Sequence, residues 1–359
     1  MASILNLDVY AGAEAQRRLS KHGWEPELFD TLIGASGGPK FLGIAGLDRV
    51  LFSDFLNQPG HNMHLIGSSI GCFRHAALAA REPAKALAGL HKRYIAQRID
   101  PADQRPRTEI VGELCRWVLD GYLDNEDVAL ICEHPRFVSH VVTARGRGPN
   151  SAANALGQAS GMFAAGISNA VNRRLLQGWF QRVVFSRGGF EDLDFEFDDF
   201  ATLHVPLTPT NTREAILASG SIPFLMPGER DIDGAPAGHY WDGGIVEYHF
   251  DFTKHRGDGL VLYPHFRGSI TPGWFDKFLP WRKTRSELLD RVVLLCPSEH
   301  YLATLPQGKI PDRSDFGKME QEARIRYWQT CADASNALGD AFSDLTFSGD
   351  PLQYVKPFP

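Results

Sequence analysis

Apolar and polar positions along the chain fall into short runs separated by glycine-rich turns. Residues 28–38, LFDTLIGASGG, read as a short apolar strand running into a glycine turn. In KFLGIAGLDRVLFSDFL, residues 40–56, apolar side chains recur at Phe41, Leu42, Ile44, Ala45, Leu47, Val50, Leu51 and Phe52. That 3.6-residue period predicts a buried helix. MHLIG, residues 63–67, predicts a second short strand, and IGCFRHAALAAR, residues 70–81, a second helix that ends before Pro83. Strand, turn and helix, twice in succession, imply a parallel sheet with helical crossovers, so the fold class is α/β.

Downstream, residues 84–145 read as largely helical, with ALAGLHKRYIAQRI and VGELCRWVLDGYL. Residues 136–145, RFVSHVVTAR, alternate and are rich in valine, which predicts a strand. The small-residue segment 150–180 reads as a long helix or a helical pair. RVVFSR, TLHVPLT, DGLVLYPHF and RVVLLCPS predict four more strands. There is no internal repeat and no low-complexity linker. One domain over residues 1–359 is expected, with a core at about 29–250 and a C-terminal extension at about 260–359 packed on it. The last 20 residues or so read as a loosely attached tail.

Composition narrows the function classes. The 359 residues are 43% hydrophobic and 22% charged, ordinary values for a globular chain. Thirty-seven basic against 43 acidic residues give −6, which argues against a general nucleic-acid binder. Cys72, Cys115, Cys132, Cys296 and Cys331 form no C-x-x-C pair, so neither a zinc ribbon nor a redox motif is expected. A scattered odd set fits reduced thiols in the cytoplasm. The N-terminal stretch lacks a basic leader followed by an apolar run. The most apolar stretch, residues 153–180, carries Gln158, Ser160, Ser168, Asn169 and Asn172, too polar for a membrane span.

Two turns carry candidate chemistry. Gly67-Ser68-Ser69-Ile70-Gly71 fits G-x-S-x-G, the sharp strand-to-helix turn that presents a nucleophilic serine. Gly34-Ala35-Ser36-Gly37-Gly38 fits the same pattern. Ser36 is the weaker candidate, because Pro39 and Lys40 lengthen its turn before the helix. This first turn lacks the spacing of a P-loop or a dinucleotide fingerprint. Gly37 and Gly38 instead offer backbone amides without an obstructing Cβ, as an oxyanion hole requires. The two turns thus read as complementary: Gly37 and Gly38 supply amides, Ser69 supplies the oxygen, and the Ile70 N–H completes the hole. Ser68 reads as a bystander.

A serine needs a neighbouring base. Late histidines are available at positions 239, 249, 255, 265 and 300, none within a recommending motif. The other candidate is Asp242 in HYWDGGIVEYHF, although Asp-Gly is also a strong hairpin signal. A Gly-Gly-x-Lys turn, a G-x-S-x-G elbow and a later D-G-G, in that order, resemble the patatin-like phospholipase family. AILASGSIPFLMP, residues 215–227, resembles the family's Ala-Ser…Pro…Pro segment ahead of D-G-G. The resemblance runs from about Phe29 to about Phe250.

That resemblance implies a three-layer α/β core with a largely parallel sheet. It implies a Ser69–Asp242 dyad acting without histidine, Gly37 and Gly38 as oxyanion glycines, and Lys40 as a substrate-binding residue. It implies hydrolysis of lipid carboxylic esters without metal or other cofactor. Two departures concern substrate shape: Phe41 stands where the family has glycine, and IVEYHF follows D-G-G where the family often has Asn and Pro. An esterase or thioesterase on soluble acyl substrates, and a catalytically silent lipid-binding protein, are the competing readings. Residues 162–179 read as a core helix, with an acyl-channel lining or mobile cover as the alternative. PGWFDKFLPWRK, residues 272–283, mixes aromatic and basic residues in a way that suits either packing onto the core or transient contact with a membrane surface.

Overall fold

A computed structural model describes residues 4–58, 62–152, 154–188, 195–197, 199–200, 202–252, 255–279, 281–282 and 284–358. Among them the strands are β1 (Leu7–Ala11), β2 (Phe29–Gly34), β3 (Met63–Ser68), β4 (Phe137–Gly146), β5 (Phe180–Ser186), β6 (Thr202–Pro206), β7 (Glu229–Arg230), β8 (His239–Asp242), β9 (Leu260–Pro264), β10 (Val292–Pro297) and β11 (Val355–Lys356). They form one sheet in the order β11-β1-β10-β9-β2-β3-β4-β5-β6, with β8 paired to β4 and β7 to β8. Neighbours from β10 to β4 all run parallel. β9 and β10 are buried along their whole length, and β2 and β3 along most of it. Continuous apolar runs such as LVLY and VVLLC are what strands covered on both faces require.

The helices are α1 (Ala13–His22), α2 (Ala45–Val50), α3 (Ile70–Leu78), α4 (Pro83–Ile95), α5 (Arg107–Asp120), α6 (Asn125–Glu133), α7 (Ala155–Val171), α8 (Thr212–Gly220), α9 (Glu299–Thr304), α10 (Asp315–Lys318), α11 (Gln321–Ala334) and α12 (Asn336–Thr346). A mostly parallel central sheet flanked by helices is the α/β class expected, and it is compatible with a three-layer core.

Three expectations are corrected. Residues 40–56 do not form one helix: a 3-10 segment, Gly38–Ile44, leads into α2, which ends in a π-type turn, Leu51–Phe55. The backbone there presses against neighbouring segments. A Cβ on Gly43 would lie 2.3 Å from Ile310, and one on Gly46 2.3 Å from the Ser335 carbonyl. Nor is the C-terminal end a loose tail. Ala341, Phe342 and Leu345 of α12 are buried, β11 pairs with β1, and the Phe358 ring stacks on Tyr10 at 6.0 Å. β9 and β10, expected in an extension packed on the core, are threaded into the sheet itself, between β2 and β1.

One edge of β4 serves two partners. β3 pairs with it as far as Ser68 opposite Val142, and β8 takes over with Asp242 opposite Thr143. β3 is parallel to β4 and β8 antiparallel, so the C-terminal ends of β3 and β8 meet head to head.

Candidate active site

Ser69 occupies the one-residue joint between β3 and α3, with φ 53° and ψ −130°. Few non-glycine residues adopt a positive φ, and such a strained conformation costs about 1–3 kcal/mol unless its surroundings hold it. Here the Ser69 N–H donates to Ser219 Oγ at 2.9 Å, and the Ser219 hydroxyl donates to the Val142 carbonyl at 2.6 Å. The elbow glycines are required by space. A Cβ on Gly71 would lie 2.0 Å from the Gly34 carbonyl oxygen, and one on Gly67 2.9 Å from the Cys72 nitrogen. Gly34 ends β2, so the two glycine turns touch backbone to backbone.

Asp242 closes the geometry. The Ser69 hydroxyl donates to Asp242 Oδ2 at 2.8 Å, and the Gly244 N–H donates to Oδ1 at 2.7 Å. Burial pushes the Asp242 carboxyl up to about 6, against the opposing pull of those two hydrogen bonds and of Arg313 and Lys277. Asp-Gly-Gly is therefore not a hairpin. It ends β8 and begins a 3-10 turn, Gly243–Ile245. A Cβ on Gly243 would strike the Val142 carbonyl at 2.1 Å, and one on Gly244 would lie 2.6 Å from Ser36 Oγ.

Ser36 and Ser68 have a different task from the one their sequence positions imply. Ser68 is fully buried, and its hydroxyl donates to the Glu247 carbonyl at 2.5 Å. Its single proton being so used, Ser36 is the donor in the 2.6 Å contact between the two hydroxyls. The Ser36 N–H donates to the Tyr248 carbonyl at 2.9 Å. Ser68 is thus no bystander: with Ser36 it ties the first turn, the elbow and the segment after Asp-Gly-Gly together.

A cavity of about 580 Å³ opens over Ser69 and Asp242 and is walled by Gly37, Gly38 and Lys40 among others. Gly38 needs its φ of +55°; Gly37 is extended, but a Cβ there would meet the Phe266 ring at 2.3 Å. Gly38 begins its 3-10 segment and Ile70 begins α3. First-turn N–H groups have no acceptor within their own helix, which leaves these amides free for an oxyanion. Lys40 lines the same cavity, but its ammonium lies 3.5 Å from Asp312 Oδ2, so its charge is shared.

The five late histidines line neither this cavity nor its neighbour. The His249 ring accepts from the Thr271 N–H through Nδ1, and burial keeps its pKa well below the usual value. His239 Nε2 is held 2.6 Å from the Pro227 carbonyl, and His300 is exposed on α9. Asp242, rather than a histidine, is the side chain that meets the Ser69 hydroxyl.

A second cavity of about 490 Å³ also reaches Ser69 and Ile70 and runs between α4 and α5, past Phe73, Tyr94, Leu114 and Val118. Sequence reasoning gave no role to several residues around Ser69. Ser219 stood within the Ala-Ser segment already singled out. Lys277 lies in the aromatic-basic stretch 272–283 already singled out, though not for this cavity, and Asp312 and Arg313 lie in a stretch with no periodicity to mark them. The expected core helix at residues 162–179 is instead α7 and a 3-10 turn. Gly161, Ala165 and Asn169 of α7 face inward, while Phe163 (72% exposed), Ile167 and Val171 (74%) face out. Only Met162 of α7 lines the larger cavity. The ring set of 272–279 is split: Phe275 is buried and Trp274 half-buried, while Phe278 is exposed, as is Trp281. Pro280 and Lys283 lie outside the described residues.

No protein-family model matches the chain, and no curated protein does. Among solved structures the chain is similar to VipD from Legionella pneumophila, with 13% identity over 92% of this chain and 71% of that one, at a TM-score of 0.35. A likeness that distant carries no argument about chemistry.

Proposed function

We propose that the protein is a serine acyl hydrolase that cleaves carboxylic esters of lipids through a Ser69–Asp242 dyad. The observation that carries this reading is the 2.8 Å hydrogen bond from the strained elbow serine to a buried carboxylate at the floor of a cavity. As Ser69 Oγ bonds to the ester carbonyl carbon, its proton passes to Asp242. The carbonyl oxygen becomes an oxyanion facing the amides of Gly37, Gly38 and Ile70. Such donors are typically worth about 3–4 kcal/mol each in a transition state. When the intermediate collapses, the bond to the alcohol oxygen breaks and Asp242 returns the proton to that oxygen. Water then attacks the acyl-enzyme, giving a proton to Asp242, and the fatty acid departs as Ser69 is reprotonated. A base with a pKa near 6 is well matched to this work near neutral pH.

Labelling by a fluorophosphonate probe, followed by peptide mapping, tests the nucleophile. A series of p-nitrophenyl esters of rising chain length, run beside phospholipid vesicles, separates lipid substrates from soluble acyl esters and thioesters. No labelling at all would leave a lipid-binding protein.

The outward face of α7 supports contact with a lipid surface. Phe163, Ile167 and Val171 stand there, and Asn169 of α7 donates to Asp276 at 2.7 Å, which brings Phe278 and its segment alongside. Arg282, one residue after the exposed Trp281, reaches the Ala170 carbonyl at 3.4 Å. An apolar helix face bordered by aromatic and basic side chains suits the boundary between head groups and acyl chains. Among the described residues no helix is long and apolar enough to cross a membrane.

A further inference from the structure

Phe41 stands where the patatin-like pattern has glycine, and the fold gives that ring a neighbour. Phe41 lies three positions after Gly38 in the same 3-10 segment, and side chains three apart on such a helix stand one above the other. It is fully buried, and its ring meets the Tyr94 ring edge to face, with centroids 5.0 Å apart. Tyr94 belongs to the last turn of α4, and Trp328 of α11 stacks on the same ring at 5.9 Å. Two rings thus fix the orientation of a third, and with it the place of a hydroxyl.

That hydroxyl lies beside the first glycine turn. Outside Gly38's own segment it is the only atom within 4 Å of where a Cβ on Gly38 would stand, at 3.8 Å. Tyr94 also lines the cavity of about 490 Å³ together with Gly38, Ser69 and Ile70. A tyrosine O–H withdrawn from bulk water usually finds a partner. Tyr122, Tyr263 and Tyr327 each donate to a backbone carbonyl, at 3.0, 2.9 and 2.6 Å. Among the described residues the Tyr94 hydroxyl has no hydrogen-bond partner. Burial, aided by Cys115 and Asp242 and opposed by Arg313 and Arg324, raises its pKa, so the phenol is a neutral donor near neutral pH. An unspent donor held beside backbone amides is what a developing negative charge needs.

We propose that Tyr94 is a further catalytic residue, whose hydroxyl donates to the ester carbonyl oxygen as that oxygen becomes an oxyanion. It acts beside the amides of Gly37, Gly38 and Ile70. The proton stays on the tyrosine throughout, and only the hydrogen bond strengthens as charge develops. Phe41 is the positioning residue that aims it. The proposal rests on Ser69 being the nucleophile, and its test separates the two.

Wild type, Tyr94→Phe, Phe41→Leu and the double variant of the full chain are compared on p-nitrophenyl octanoate and ethyl octanoate, well below every melting midpoint. Tyr94→Phe should lower kcat about a hundredfold on both esters, the loss typical of one oxyanion donor, with KM changed less than about twofold. Its thermal midpoint should stay within about 2 °C of wild type, because the ring packing is kept and the hydroxyl has no protein partner to lose. Fluorophosphonate should still label Ser69, more slowly. Phe41→Leu should lower kcat about fivefold when Tyr94 is present and not at all beside Tyr94→Phe, as expected of two residues that act through one another. An active wild type matched by Tyr94→Phe overturns the assignment and leaves the dyad standing. A loss confined to the ethyl ester, whose alkoxide needs a proton, would put the hydroxyl at the leaving oxygen and overturn it too. Additive effects of the two substitutions would remove the positioning role of Phe41. A wild type that neither turns over ester nor takes the label sinks the hydrolase reading itself, and the role of Tyr94 with it.

Discussion

Ser69 and Asp242 are 173 residues apart in the chain and hydrogen-bonded at 2.8 Å because β3 and β8 end against each other on the same edge of β4. Neither residue positions the other. Both are held by a third strand, through Val142 and Thr143. The geometry therefore exists before any substrate arrives.

If Ser69 is the nucleophile, Ser69→Ala should abolish fluorophosphonate labelling and ester hydrolysis together. Ser36→Ala should keep the label at Ser69, because the Ser36 hydroxyl serves Ser68 rather than Asp242. It should cost about 1 kcal/mol in a denaturant titration, the worth of one net hydrogen bond. A label that moved to Ser36 would reverse the assignment.

Asp242 sets two pH dependences of defined sign. If Asp242 is the base it must be ionised, so kcat/KM should rise with pH through about 6. For stability, a carboxyl raised above its unfolded value favours the fold below that unfolded value, about 4, and loses this contribution as pH rises through about 6. Asp242→Asn retains the hydrogen-bonding shape without the charge. It should inactivate the protein yet stabilise it, by about 1 kcal/mol more at pH 7.5 than at pH 5. A variant that melted lower than wild type at both pH values would refute the burial argument.

Ser219 is predicted to be a positioning residue. Ser219→Ala leaves the Ser69 N–H without its acceptor and the Val142 carbonyl without its donor. A buried unpaired group costs about 1–3 kcal/mol, and the strained elbow absorbs it. We expect kcat to drop about tenfold with little change in KM, and Thr at this position to restore most of it. A drop in KM alone would point to a different role.

Gly71→Ala places a methyl 2.0 Å from a carbonyl oxygen that neither chain segment is free to move. Because the clash is backbone against backbone, the expected loss is about 3 kcal/mol or more, visible as a lower denaturation midpoint. Gly178→Ala, where a Cβ meets nothing within 4 Å, is the control.

The lipid-facing reading of α7 is checked by flotation with anionic and zwitterionic vesicles. The wild type should float, and Phe163→Ser with Trp281→Ser should weaken binding by more than tenfold, as expected for two large side chains withdrawn from an apolar phase. A wild type that remains unbound with both vesicle types rules the contact out.

Much of this architecture is legible in the chain, for a physical reason. β9 and β10 are buried along their whole length and β2 and β3 along most of it, so their sequences are largely apolar, and both glycine turns follow such runs. The interrupted helix after Gly38 was hidden because apolar period reports which face is buried, not how closely another backbone approaches. The roles of Ser36 and Ser68 were hidden because a hydroxyl's partner is decided by tertiary contact: the Glu247 carbonyl is 179 residues away. Apolar content likewise does not say whether a neighbour covers it, so α7 read as core while half of it faces outward. Lys277, in the short 3-10 helix Phe275–Phe278, and Arg313, in a loop, line the cavity over Ser69 only because the chain folds.

The β4 edge has a further consequence. The groups that would make and break bonds hang from strand ends in the middle of the sheet, while the walls that contact the rest of a ligand belong to α4, α5, α7 and the loop around Arg313. If the protein is the proposed hydrolase, reactivity and selectivity are carried by separate parts of the molecule. Helix α5 is in this sense an exchangeable insert: repacking Val111, Leu114 and Val118 would reshape the cavity they line without displacing the Ser69 oxygen.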